Sequence, residues 1–299
     1  MRLNIFFYVI ANLLLVQLTS LELVNVNLVI NIICVLGIGT LGIAHGAIDD
    51  VLYGVKERKS KFVFIGKYLA GMALIGLLWL LASDVAILIF LFVSAFHFGQ
   101  TQLVEYKIKS KLLKNTLCFS WGSFIILAML SLNQEALSGL SYTTFDLPYS
   151  YSFILDNSSI LLICFSSLLT ALFVVLGIKK TISVSSILKE LYLLALVLCS
   201  FYVLEPFVAF ALFFVLIHSL KAVNQEFEFC KHRVTKNMNQ FLVLFLPLTA
   251  CSIVAVMLFL FGLLYFNHGE IIPYALLILI SCITIPHSFV MDKFYNLLK

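Results

Sequence analysis

Long apolar runs follow one another along the chain, and each is about as long as a lipid bilayer is thick. A helix needs about 20 mostly apolar residues to cross the hydrocarbon core. Hydrophobic residues make up 62% of the 299 residues and charged residues only 11%, whereas soluble domains carry roughly 25% charged residues. The sequence therefore predicts an integral protein of the cell membrane. Applied along the chain, the required length gives ten segments: 4–20, 24–44, 62–82, 85–99, 112–132, 158–178, 186–204, 206–220, 240–266 and 271–290.

Three boundaries between these segments depend on short polar interruptions. Glu22 divides the first segment from the second, Ser83–Asp84 divides the third from the fourth, and Glu205–Pro206 divides the seventh from the eighth. Read as one helix, residues 186–220 would be about 52 Å long at 1.5 Å per residue, which is too long to cross once. Proline supplies a break there. We therefore predict an all-α, polytopic transmembrane helix bundle of about ten spans, forming a single domain over residues 1–299.

The Lys and Arg residues fall on one side of this layout. If the N-terminus is cytoplasmic, all 19 of them lie at or near cytoplasmic connections, where membrane proteins concentrate positive charge. The opposite connections carry acidic residues: Glu22, Asp84, Glu135, Asp146, Asp156, Glu205 and Glu270. This separation predicts that both termini are cytoplasmic and that 133–157 is an extracytoplasmic loop. The basic residues are dispersed among connections, so the net charge of +4 does not indicate nucleic-acid binding.

Four of the six histidines end separate spans that run from the outside to the inside. They are His45, His97, His218 and His287. A single histidine at such a place is usually a packed or interfacial residue. Four at one depth are harder to explain that way, because ionisable groups in spans usually face the bundle interior and neutral imidazole is the commonest metal ligand. The pattern therefore predicts a shared metal site near the cytoplasmic interface.

Asp49 follows His45 by four residues and would share its helix face if the helix continues. Its carboxylate could accept the second ring N–H of a ligating histidine and fix its tautomer. Asp50 is equally well explained as a solvated loop residue, and Gly46 and Gly99 would let helix backbones approach closely near the site. Imidazole suits zinc, copper, iron and nickel, so the residues alone leave the metal open. The absence of a Glu-x-x-His pair disfavours a carboxylate-bridged di-iron centre.

The segments around these histidines resemble the Brp/Blh family of membrane β-carotene 15,15′-dioxygenases. The matching motifs are HGAID at 45–49, HFG at 97–99, HSL at 218–220 and PH at 286–287. They occur in order from about residue 40 to residue 290. The resemblance implies cleavage of the central double bond of β-carotene with O2, giving two molecules of retinal. It also implies Fe(II) held by the histidines as the cofactor.

One position departs from the pattern of that family. The third motif typically reads HSxRH, with a further metal ligand four residues after the first histidine, and here Ala222 occupies that position. Either His287 completes a four-histidine site, or three ligands remain, or the chain has lost the reaction. In the last case it would be a non-catalytic carotenoid- or retinal-binding or assembly membrane protein. The shared depth of the histidines favours the first alternative.

Other classes of membrane protein remain as alternatives. Membrane desaturases and hydroxylases depend on dense HxxH and HxxHH clusters, but no two histidines here lie within four residues of each other. A haem cytochrome would pair histidines across helices and show a Soret band. A transporter usually binds its substrate near the membrane midplane, whereas these histidines cluster at one interface. The 28 phenylalanines suit an apolar polyene, although most are expected to face lipid or pack within the bundle.

Overall fold

The computed structural model describes residues 3–21, 25–42, 46–57, 61–138, 148–231, 233–235, 237–267 and 271–298. These residues form helices and turns, and no β-strand occurs among them. The all-α prediction is therefore confirmed. The helices are α1 (Leu3–Ser20), α2 (Val26–Gly37), α3 (Asp49–Glu57), α4 (Lys61–Leu81), α5 (Ser83–Leu103), α6 (Lys111–Leu132), α7 (Gln134–Ser138), α8 (Tyr149–Asp156), α9 (Ser158–Ile178), α10 (Val184–Val203), α11 (Pro206–Leu212), α12 (Leu220–Cys230), α13 (Met238–Tyr265) and α14 (Ile272–Leu297). Two π-helical segments, Ile38–Gly42 and Phe213–Ser219, continue α2 and α11.

Within the described part of the chain, eight helices are long and apolar enough to cross a membrane. They are Leu3–Ser20, Lys61–Leu81, Ser83–Leu103, Lys111–Leu132, Ser158–Ile178, Val184–Val203, Pro206–Cys230 and Tyr274–Leu297. Each coincides with a segment predicted from the sequence. The two other predicted spans correspond to shorter apolar helices, Val26–Gly42 and Ser252–Tyr265. These helices indicate that the chain is a membrane protein. The count of ten spans and the cytoplasmic location of both termini stay predictions.

The helix boundaries follow from the polar and proline residues in the sequence. One helix ends at Leu81 and the next begins at Ser83, at the interruption that the sequence predicts. Pro206 occupies the first turn of α11, where a missing backbone N–H costs nothing. Past the predicted end at 220, the helix continues through α12 to Cys230.

The predicted loop 133–157 contains two short helices, α7 and α8, and residues 139–147 lie outside the described part of the chain. The start of α8 is held by Asp84 of α5. Its Oδ1 accepts hydrogen bonds from the backbone N–H and the hydroxyl of Ser150, at 2.6 and 2.7 Å. A carboxylate on first-turn donors satisfies groups that a helix leaves unpaired. Part of this connection is therefore ordered as helix rather than as an extended loop.

The described helices group into two compact units. The first unit comprises Met1–Ile48 and Ala195–Phe261, and the second comprises Asp49–Leu194 and Gly262–Lys299. Within the first unit, the π-helical segment Phe213–Ser219 packs against α1, α11, α12 and the other π-helical segment. A Cβ added to Gly42 would lie 2.6 Å from the ring of Phe214, so a glycine is needed where the two π-helical segments meet.

Helix α5 is the centre of the second unit, where it packs against α4, α6, α8 and α14. Its contact with α6 is a backbone contact. A Cβ added to Gly99 would overlap the carbonyl group of Cys118, and one added to Gly122 would overlap the carbonyl group of Ala95. The close approach expected at Gly99 is therefore confirmed, and Gly122 contributes the reciprocal contact from α6.

This backbone contact predicts that alanine at Gly122 destabilises the protein. The added methyl group must push α6 away from α5, and overpacking of this kind costs about 1–3 kcal/mol. Gly66 of α4 is the matched control because a Cβ added there meets nothing within 4 Å. Thermal unfolding in detergent should show a lower midpoint for Gly122→Ala than for Gly66→Ala. Equal midpoints would contradict the backbone contact.

Candidate metal centre

Two of the four predicted histidines meet in the second unit. His97 projects from α5 and His287 from α14, and both are buried, at 2% and 4% exposure. Their ring centroids lie 5.0 Å apart with an interplanar angle of 85°. Two imidazoles that are excluded from solvent thus converge from neighbouring helices, as ligands of one ion would.

Pro286 lies inside α14, directly before His287. Proline removes one backbone donor from a helix interior and clashes with the preceding turn, so the helix is weakened where the histidine projects. Glycine accommodates the proline ring on the neighbouring helix: a Cβ added to Gly71 of α4 would lie 3.3 Å from Cγ of Pro286. The PH motif therefore marks a close contact of α14 with α4.

Asp49 contacts His287 through both carboxyl oxygens. Oδ1 and Oδ2 lie 3.0 and 2.9 Å from Nδ1 of the imidazole, and Asp49 is only 2% exposed. With Nδ1–H donating to this carboxylate, Nε2 becomes the nitrogen that presents a lone pair. The arrangement matches the carboxylate–histidine pairs that orient metal ligands in proteins.

The route by which Asp49 reaches the site differs from the one that the sequence suggests. A helix continuing from His45 through Asp49 would place both on one face, but residues 46–48 form a turn and α3 begins at Asp49. A continuous helix through residues 46–48 is therefore not observed, and the position of His45 relative to Asp49 lies outside the described part of the chain. The turn starts a new helix whose first residue contacts α14, 238 positions further along the chain.

The environment of Asp49 disfavours its charged form. Burial raises the pKa of this carboxyl group well above its ordinary value, and the charge of neighbouring Asp50 adds to the effect. A side-chain hydrogen bond from Tyr68 of α4 acts in the opposite direction. Because removing a charge from water is costly, a buried carboxyl group here requires the hydrogen bonds that His287 and Tyr68 supply.

The two other histidines predicted for the site, His218 and His45, are not among the residues described at the contact between His97 and His287. His218 lies in the first unit, within Phe213–Ser219; it is 3% exposed, and its ring stacks on that of Phe214 at 5.4 Å. His45 lies outside the described residues. Among the residues with described positions, no group of three or more His, Cys, Asp or Glu side chains is arranged to hold a metal ion. π-Helical segments such as the one carrying His218 are frequent at functional sites.

Several polar residues close to the histidine pair were not anticipated from the sequence. They are Tyr68, Gln100, Thr101, Gln102, Glu190, Asp292 and Tyr295. Gln100–Gln102 directly follow the HFG motif and interrupt an apolar helix, so three consecutive polar residues there could have indicated them. Nothing in the sequence distinguishes Tyr68 from the other tyrosines of the apolar segments.

Comparison with known proteins bears on this site. A family model described as beta-carotene 15,15'-dioxygenase matches residues 36–295. The chain belongs to this family. The match to the beta-carotene 15,15'-dioxygenase family spans most of the chain and contains Asp49, His97, His218 and His287, together with Ala222. No curated protein and no solved structure matches the chain.

The Asp49–His287 contact predicts unequal costs for two adjacent alanine substitutions. Asp49→Ala leaves a buried imidazole N–H without this acceptor, which costs about 1–3 kcal/mol. Asp50 instead pairs with Lys61; the aspartate side chain is 9% exposed but the lysine side chain is 61% exposed, so loss of Asp50 returns the lysine to solvent and leaves no buried group without its partner. Both aspartates lie in the first turn of α3, so helix-terminus effects are matched. Thermal unfolding in detergent should place Asp49→Ala below Asp50→Ala, and the reverse order would contradict the contact.

Proposed function

We propose that the chain is an iron-dependent enzyme that cleaves the central double bond of β-carotene with O2 and releases two molecules of retinal. The observation that carries the proposal is the buried contact between His97 and His287, backed by Asp49. It lies inside the segment matched by the beta-carotene 15,15'-dioxygenase family. The chemistry of these residues and the family relationship thus support the same activity.

The donors at this contact suit Fe(II). Imidazole nitrogen is a normal ligand of iron, and two neutral imidazoles add no net charge to a site surrounded by apolar helices. Asp49 on Nδ1 leaves Nε2 of His287 as the coordinating nitrogen. We propose His97 and His287 as ligands, and the participation of His45 and His218 stays a prediction from the sequence.

The protein's own contribution is binding, orientation and exclusion of water. Bound iron would supply the activation of O2, which side chains alone cannot carry out. His97 and His287 would hold the ion, and Asp49 would fix the tautomer and ring orientation of His287. The burial of all three residues keeps bulk water from the reacting double bond.

The substrate reaches such a site from the lipid. β-Carotene is a hydrocarbon that dissolves in the bilayer, and large apolar side chains are exposed along the long helices, including Phe62 and Leu80 of α4 and Phe92 of α5. Entry between helices therefore avoids an aqueous step. An apolar cavity would hold the polyene by burial, and its position would select the central double bond.

Ala222 favours a second candidate function. Its side chain is completely buried in α12, at the position where the resemblance implies a further ligand. A chain that lacks one ligand could bind a carotenoid or retinal, or assist assembly of a retinal protein, without cleaving the substrate. In the enzyme, His287 would replace the ligand that is missing at position 222, whereas in the non-catalytic alternative it would not. Substitution of His287 therefore distinguishes the two candidate functions.

Expression in cells that accumulate β-carotene tests the activity. The wild-type chain should bleach the yellow colour and produce retinal, measured by chromatography of cell extracts. His97→Ala and His287→Ala should each lower retinal at least about 100-fold, because a lost ligand costs more than the 10–100-fold typical of its supporting groups. His268→Ala is the control, since the sequence places that histidine in a connection. Western blotting verifies equal amounts of protein.

Three results would contradict parts of this proposal. Unchanged retinal from His97→Ala would remove His97 from the site. An amount of retinal from His287→Ala equal to that from the wild-type chain would exclude His287 as a ligand. Absence of retinal from the wild-type chain, with β-carotene or retinal co-purifying, would favour the non-catalytic alternative.

Asp49→Asn should weaken iron binding by the purified protein. The amide keeps the size of the side chain but replaces one of the two oxygens that contact Nδ1 with an NH2 group, which cannot accept from the ring, and losses of this type run about 10–100-fold in metal affinity. Asp50→Asn, one residue along and paired with Lys61 instead, should bind iron as the wild type does. Metal content after dialysis against graded chelator concentrations measures the difference. Equal retention by both variants would argue against an orienting role for Asp49.

A further inference from the structure

The end of α5 that carries His97 is buried on all sides, although its residues are polar. Gln100, Thr101 and Gln102 are each 7% exposed or less. Buried polar groups need hydrogen-bond partners, and these three find them on two neighbouring helices. The amide of Gln102 donates to the carboxylate of Glu190 on α10, at 2.8 and 3.1 Å.

Gln100 and Thr101 instead bind α14, the helix that carries His287. The amide of Gln100 donates to Oδ1 of Asp292 at 2.6 Å. The hydroxyl of Tyr295 donates to Oγ1 of Thr101 at 3.0 Å, and Thr101 in turn donates to the backbone carbonyl of His97 at 3.0 Å. A chain of two hydrogen bonds thus runs from α14 to the backbone of the histidine.

These bonds lie on the same side of α5 as His97. At about 100° per residue, Gln100 lies about 60° from His97 around the helix and Thr101 about 40° on its other side. With the same rotation per residue, Ala95 and Gly99 each lie about 160° from His97 around the helix. These two residues form the backbone contact with α6. The α6 contact therefore sets how far α5 sits from its neighbour, while the bonds to α14 set its rotation.

The C-terminal part of α14 needs such an attachment. Pro286 removes one helix hydrogen bond just before His287, so the turns that follow are tied less firmly to the first part of the helix. Asp292 and Tyr295 lie in those following turns. Their bonds hold this section of α14 directly on α5, next to the two imidazoles.

We propose that Gln100–Asp292 and His97–Thr101–Tyr295 form a rotational lock that positions His97 against His287. In this lock Gln100, Asp292, Thr101 and Tyr295 are positioning residues, which act on His97 through hydrogen bonds between α5 and α14. The inference rests on the proposed function for its consequence, since the lock would hold two ligands in coordinating geometry. The positions of the His97 and His287 rings relative to each other can be tested in the protein without metal.

Paired variants test the ring positions in metal-free protein. Thr101→Val removes the hydroxyl at nearly constant volume and Tyr295→Phe removes its donor, whereas Thr101→Ser retains the hydroxyl. Tyr274→Phe is the matched control, because Tyr274 lies in the first turns of the same helix, edge-on to Trp79 at 5.7 Å. The readout is the ring 15N spectrum of histidine-labelled protein in detergent, with signals assigned from His97→Asn and His287→Asn.

We expect the His97 and His287 signals to shift or double in Thr101→Val and Tyr295→Phe, and to stay in place in Thr101→Ser and Tyr274→Phe. The double variant should show no more change than Thr101→Val alone, since Thr101→Val already removes both bonds of the chain. Wild-type His97 and His287 signals in Thr101→Val would overturn the lock. This outcome is independent of whether the protein binds iron.

Metal binding tests the consequence separately. Co(II) is the probe, because its visible absorption reports the number and geometry of ligands. Thr101→Val and Tyr295→Phe should weaken Co(II) binding roughly tenfold, at the lower end of the effect of groups that support ligands, and should change the band shape. If the wild type binds no Co(II), the proposed metal site fails while the spectra of the metal-free protein still decide the lock. If the wild type binds Co(II) and all variants match it, the lock does not position ligands.

Discussion

The backbone contact between α5 and α6 is the constraint on which the second unit depends. Gly99 and Gly122 bring the two helices together so closely that neither position has room for a methyl group. In a membrane, helices gain little from burying apolar side chains that lipid would solvate equally well, so association depends on close packing and polar contacts. With one face of α5 fixed against α6, the opposite face, which carries His97, must meet α14.

Polar groups are concentrated where the C-terminal end of α5 meets its neighbouring helices, because they are costly elsewhere in an apolar chain. A buried carboxyl group such as Asp49 loses hydration and recovers part of that cost only through partners. His287 and Tyr68 provide them, and Glu190 is held in a similar way by Gln102 and Tyr106. Such groups in membrane proteins usually mark function, which is why these residues, rather than the many phenylalanines, direct the functional proposal.

The sequence predicts the helical segments well and the site only in outline. Eight predicted spans have the required length and composition, because apolar runs and their polar interruptions are local properties. Two of the four predicted histidines, His97 and His287, do meet. The partner of Asp49 could not be predicted, because it lies 238 residues away, and the only local information, a four-residue spacing from His45, favoured a continuous helix where the chain makes a turn.

The position of that pair in the chain bears on how the site assembles. Asp49 is the first residue of the second unit and His287 lies in its last helix, so their hydrogen bonds join the two ends of the unit. Closing a contact between such distant residues costs chain entropy, which the packing of the intervening helices has to offset. A metal ion held by His97 and His287 would therefore bind the folded unit and not its separate helices. Its binding free energy would add to the stability of the whole unit, so that loss of a ligand would weaken the fold together with the site.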